Sequence, residues 1–206
     1  MMYGVLKGQG ARPSYPRGRG ERGAALVEFA IILPLILLIT FGIIEYSYAF
    51  NADSTVAQAA RAGGRTASAL SQDDTQAEQA AGAVGAALQT LPANEPQLVW
   101  IYKVTAPDGS PPDACATDCT SFTWDPVGKK FNTSAPGGSG WKGSSQNICT
   151  DGSGGSKPFD LVGVYVKIDH KFITPGLFGP GTFLTDHSVF RLEPKPSSSA
   201  ICPPHS

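Results

Sequence analysis

The sequence predicts an α+β protein: a single N-terminal transmembrane helix continuing into extracytoplasmic helices, followed by a small antiparallel β domain with disulfide-stabilised loops. Three observations carry this expectation. A basic stretch runs directly into a long apolar one, an alanine-rich segment comes next, and two later segments alternate apolar and polar residues between turn-rich stretches.

The basic stretch comes first. Residues 1–23 hold Lys7, Arg12, Arg17, Arg19 and Arg22 against Glu21, five minus one or +4, so with a net charge of -1 the residues 24–206 carry -5. Positive flanks stay on the cytoplasmic side, which makes residues 1–23 a basic cytoplasmic leader. Nucleic-acid binding calls for a basic face on a folded domain, and the longer part of this chain is acidic, so nucleic acid is excluded as a partner.

Residues 24–50 form the expected transmembrane helix. Phe29 to Ile44 is free of charge, and only Glu28 and Glu45 interrupt the mostly apolar run from Ala24 to Phe50. At about 1.5 Å per residue this run reaches roughly 40 Å, enough to cross a hydrocarbon core of about 30 Å. Pro34 removes one backbone donor, frees the carbonyl of Ala30 and is expected to kink the helix. A secretory signal peptide has a shorter apolar core and a small-x-small exit. Tyr46-Ser47-Tyr48-Ala49-Phe50 offers no such exit, so the helix is expected to be retained, single-pass, with its N-terminus cytoplasmic and the residues after Phe50 outside. Glu28 then needs an explanation, because a charged side chain in a spanning helix costs about 2.5 to 3.5 kcal/mol on insertion scales.

Arg22-Gly23-Ala24-Ala25-Leu26-Val27-Glu28-Phe29-Ala30, then Leu33-Pro34-Leu35 and Phe41-Gly42-Ile43-Ile44-Glu45-Tyr46, resembles the signature of the TadE-like family, pilin-like proteins of tight-adherence (Flp) pilus systems. Ala59-Ala60-Arg61-Ala62-Gly63 is similar to the family's segment after the membrane, and Arg191-Leu192-Glu193 to the end of many members. The resemblance implies a prepilin peptidase as a partner, cutting between Gly23 and Ala24. It further implies other pilin-like subunits, the inner-membrane pilus assembly platform and membrane lipid as partners, with Glu28, Phe29 and Pro34 serving helix packing. On that reading Glu28 becomes the fifth mature residue, and the new ammonium at Ala24 neutralises its carboxylate within one chain or between neighbours.

Residues 51–91 are rich in alanine and glutamine, which favours helix. Two helices are expected, with interruptions at Gly63-Gly64 and Ser71 to Asp74, and with Asp73 and Gln76 spaced as a cap for the second. Ala77, Ala80, Val84, Ala87, Leu88 and Leu91 then share one face, and Pro92 and Pro96 end the segment.

Residues 97–193 form the expected β domain. Gln97 to Thr105 alternates, with Leu98, Trp100, Tyr102 and Val104 on one face, and Leu161 to Phe172 places Val162, Val164, Val166, Ile168, His170 and Phe172 together. Thr174 to Gly181 is a turn, and Thr182 to Glu193 returns antiparallel. The Gly/Pro-rich insertion 106–158 offers one short strand, Phe122 to Trp124. Cys115, Cys119, Cys149 and Cys202 are disulfide candidates with three possible pairings, and residues 194–206 read as a flexible tail.

No catalytic constellation emerges, and neither cofactor nor metal is expected. Cys115 and Cys119 lack C-x-x-C spacing, and in Asp169-His170 and Asp186-His187 adjacent residues point to opposite strand faces. Arg61 and Arg65 read as solvated helix residues. The leading expectation is a structural protein of pilus assembly; the alternative is a membrane-anchored extracytoplasmic binding or sensing module.

Overall fold

The structure, a computed structural model, describes residues 21–134, 140–148 and 159–193. The expected tail, most of the leader, Cys149 and Cys202 lie outside these residues. Among the described residues, three α-helices, α1 (Glu21–Ala69), α2 (Gln76–Leu88) and α3 (Pro175–Phe178), join five strands, β1 (Pro96–Lys103), β2 (Cys119–Asp125), β3 (Lys130–Thr133), β4 (Leu161–Lys171) and β5 (Gly181–Arg191). The chain divides within α1 into two compact units, at Ile43 and Ile44.

The first unit is helix alone. Helical structure runs through Pro34, and Thr40 returns its hydroxyl to the Ile36 carbonyl at 2.8 Å, a local bond that keeps the polar group satisfied in apolar surroundings. This segment is long and apolar enough to cross a membrane, and none of its most apolar window is buried by the rest of the chain.

The second unit is a five-stranded antiparallel sheet, ordered β3-β2-β1-β4-β5, with helices on one face. Val162, Val164, Val166 and Ile168 point from β4 into the core as the alternation predicts. On β1 the residues that enter the core are Val99, opposite Val166, and Ile101, opposite Val164. Leu98 and Trp100 therefore occupy the outer face, where Trp100 packs on Tyr165 with ring centroids 5.1 Å apart. On that face Tyr102 is buried across Gly163 and donates its hydroxyl to the Gly109 carbonyl at 3.0 Å. The residue 106–110 loop thus covers what strand alternation alone leaves open.

Two sequence expectations need correction in the helices. Gly63 and Gly64 do not interrupt α1; they are the points where it comes closest to its neighbours. A Cβ on Gly63 would stand 2.5 Å from Val84 Cγ2, and one on Gly64 would stand 2.3 Å from Phe190 Cδ2. The break falls after Ala69, where Gln72 adopts a positive φ of 60°. Nor does Asp73 cap α2 as expected. Its carboxylate accepts from the amide and hydroxyl of Thr75, at 2.9 and 2.8 Å, and Thr75 is the residue before the helix. Gln76 instead turns inward, donating to the Ala67 carbonyl at 2.5 Å and accepting from Gln146 at the same distance.

The insertion is more structured than its composition suggests. β2 extends across seven residues and pairs with β3 through a turn at residues 126–129, where Lys129 has a φ of 49°. Trp141 and Ile148 both enter the core, and Gln146 accepts from the Gln72 amide at 2.7 Å, so residues 140–148 close the corner between α1 and α2. The disulfide Cys115–Cys119 ties a local loop to the first residue of β2.

Two outcomes follow. Gly63→Ala should destabilise the second unit by about 1 to 3 kcal/mol through overpacking, while Gly82→Ala, with nothing within 4 Å of the new methyl, should gain up to about 1 kcal/mol; chemical denaturation of the solubilised chain reads both. Burial and the nearby Asp108 charge push the Tyr102 phenol up to about 12. Its folded pKa is raised, so the contribution is complete below the ordinary tyrosine value near 10 and is lost as pH rises toward 12. Tyr102→Phe should abolish that alkaline limb in a stability-versus-pH series.

Candidate functional site

The surface that most demands a partner belongs to the first unit. Gly23 and Ala24 are exposed, and nothing lies within 4 Å of a Cβ at Gly23. Glu28 is exposed one helical turn beyond Ala24, so the two share a face. Phe29 and Pro34 are exposed as well, together with Leu26, Ile31, Leu35 and Ile43. Apart from Glu28 this stretch is apolar around its circumference, and its length and composition suit it to cross a membrane.

The second glutamate of the apolar run behaves differently. Glu45 is buried at 5% exposure within the second unit. Its Oε1 accepts from the Ile173 amide at 2.7 Å, and its Oε2 from the Thr174 hydroxyl at 3.3 Å. These groups precede α3, at the tip of the β4–β5 hairpin, so Glu45 fastens that tip to α1. A charge that looks misplaced in the sequence is thereby repaid by two hydrogen bonds, one to a backbone amide. Sequence reasoning noted the position without finding the role, since the partner lies more than a hundred residues away.

The other end of α1 carries a second set of fastenings. Ser68 and Ser71 donate their hydroxyls to the carbonyls of Arg191 and Glu193, each at 2.5 Å, and Ser188 donates to the Ala60 carbonyl at 2.6 Å. The Arg191-Leu192-Glu193 stretch is thus fixed by backbone geometry, with Leu192 fully buried. Arg61 and Arg65 point outward and are exposed.

The acid-histidine pairs are not brought together. His170 lies opposite Thr182 and Asp169 opposite Phe183, while Asp186 and His187 lie opposite Val166 and Tyr165. His170 instead meets Glu95: Nδ1 stands 3.2 Å from Oε1, both side chains are buried, and the approach is at ion-pair distance but outside hydrogen-bond geometry. Glu95 also receives the Lys171 amide at 3.3 Å. The pair borders a cavity of about 500 Å³ that Tyr48, Asn51, Thr90 and Ile173 help to line. Among the described residues, no three His, Cys, Asp or Glu side chains converge as metal ligands would.

The family model described as TadE-like protein matches residues 23–65. The match begins at Gly23 and takes in Glu28, Glu45, Arg61 and Arg65. No curated protein and no solved structure matches the chain.

Replacing Glu45 tests the fastening. Glu45→Leu strands the Ile173 amide, with an expected loss of about 1 to 3 kcal/mol and of hydrogen-exchange protection at Ile173. Glu45→Gln, which keeps one acceptor, should lose less.

Proposed function

We propose that this chain is a pilin-like, single-span membrane component of a tight-adherence pilus machine, acting by helix packing and protein–protein contacts. The reading rests chiefly on one observation: an apolar helix uncovered on every side carries an exposed carboxylate, Glu28, five residues after Gly23, within the segment that matches the TadE-like family. In this reading the N-terminus is cytoplasmic and the sheet domain lies outside the membrane.

The chemistry of the site supports an assembly role. A prepilin peptidase would cut after Gly23 and leave a free ammonium at Ala24. The helix N-terminus favours nearby negative charge, and Glu28 sits one turn along. Ammonium and carboxylate then neutralise each other, within a chain or across two packed helices, and the cost of holding Glu28 in lipid falls. Pairing between chains also sets the axial register of neighbouring subunits, because only one stagger brings the two charges together. Phe29 and Pro34 extend the same packing surface. The partners on this reading are the peptidase, other pilin-like subunits, the inner-membrane assembly platform and lipid.

A second reading, a membrane-anchored extracytoplasmic binding or sensing module, draws support from the cavity beside Glu95 and His170. The two differ at Glu28, which the second reading leaves without a task.

The N-terminus and intact mass of membrane-extracted protein, from cells with and without the cognate peptidase, test the leading reading. A peptidase-dependent start at Ala24 is expected. Glu28→Leu should abolish pilus assembly while leaving the amount of folded, membrane-inserted chain unchanged; normal assembly in this variant would favour the anchored module.

A further inference from the structure

The tip of the β4–β5 hairpin has no role in the fold that accounts for its composition. Between Lys171 and Asp186 no side chain is ionisable, and Ile173, Leu177, Phe178 and Phe183 present large apolar surfaces outward. Leu177 is 50% exposed and Phe183 59%, values that a hairpin end facing water would not need. The nearest cations stand at its margin: Lys167 places its ammonium 4.2 Å from the Phe183 ring centre, and Lys171 pairs with Asp169 at 2.5 Å.

What covers this tip follows from where it is tied. The Ile173 amide is hydrogen-bonded to Glu45, the residue next to the charge-free run Phe29 to Ile44. Tyr46, Tyr48 and Phe50 are exposed along the same stretch of α1, and Tyr46 and Phe50 stack with centroids 6.4 Å apart. Exposed tyrosines at the end of an apolar run suit a membrane interface, where amphipathic rings sit at headgroup level. Lys167, with its ammonium over the Phe183 ring, and Lys171 place positive charge at the margin of the apolar tip, where the phosphate layer of a bilayer would lie.

We propose that the β4–β5 hairpin tip, Ile173 to Phe183, inserts into the lipid interface beside α1, so that the outer domain holds the bilayer at two points. The occupant is the lipid surface, and the proposal rests on α1 spanning the membrane. Glu45 then links helix and tip: it satisfies the hairpin backbone where water is scarce, and it sets the depth at which the tip enters.

Depth-dependent quenching tests this on the full chain in phosphatidylcholine–phosphatidylglycerol vesicles. An environment-sensitive dye is attached at Leu177→Cys, at Ile36→Cys as the bilayer reference, or at Val127→Cys, 92% exposed in the β2–β3 turn, as the aqueous reference. Each is made in a Cys149→Ser, Cys202→Ser background and kept oxidised so that Cys115–Cys119 stays closed. Spin-labelled lipid should lower emission about twofold at Leu177, the level expected for a side chain buried some 5 to 10 Å into the interface, and should leave Val127 unchanged. If Ile36 is quenched while Leu177 behaves like Val127, the proposal is overturned and the spanning helix stands. If Leu177 escapes lipid quenching yet becomes shielded from aqueous iodide as protein concentration rises, a second copy covers the tip and the lipid assignment is wrong. An unquenched Ile36 removes the spanning helix and the proposal with it.

Discussion

The second unit depends on how closely α1 can approach the sheet. Ala52, Val56, Ala59, Ala60, Gly63 and Ala67 form a stripe of small side chains turned into the core. Val164 meets it from β4, Phe190 from β5 and Val84 from α2. A larger residue at Gly63 would displace neighbours on α2 and β4 at once, and one at Gly64 would run into Phe190 and Ser188 of β5, because interiors are packed too densely to absorb a misplaced methyl. The same closeness lets Ser188 reach the Ala60 carbonyl and lets the end of β5 bond to Ser68 and Ser71. Small residues thus determine which backbone groups can find each other.

The two glutamates of the apolar run solve the same electrostatic problem by opposite means. Glu45 is enclosed by its own chain and accepts hydrogen bonds from Ile173 and Thr174, so its charge is compensated when the domain folds. Glu28 finds no such enclosure and is exposed on a helix suited to cross a membrane. On the proposed reading, the carboxylate of Glu28 is compensated from outside the folded monomer, by a neighbouring subunit or the new amino terminus. The sheet domain adds a different resource: a buried Glu95–His170 pair beside a cavity, on the same side as the hairpin tip.

Much of this was legible along the chain. A charge-free run of sufficient length, alternation in Leu161 to Phe172, and a turn rich in proline and glycine after it gave the spanning-length helix, β4 and the β4–β5 hairpin, because hydrophobic period and turn chemistry are local properties. Gly63 and Gly64 look like breakers in one dimension and prove to be contact points in three. Asp73 and Gln76 have the spacing of a cap, yet each found a better partner, Thr75 for one and Ala67 for the other.

The sequence by itself determined the long apolar helix, the strands at β1, β4 and β5, and that the family signature lies at the N-terminal end, since all three are written in neighbouring residues. Only the tertiary structure decided which face of β1 turns inward, that Trp141 and Ile148 of a glycine-rich insertion complete the core, and that Glu45 belongs to Ile173. Each of those outcomes depends on groups brought together from distant parts of the chain. Burial and hydrogen-bond satisfaction select among such partners only after the elements have packed.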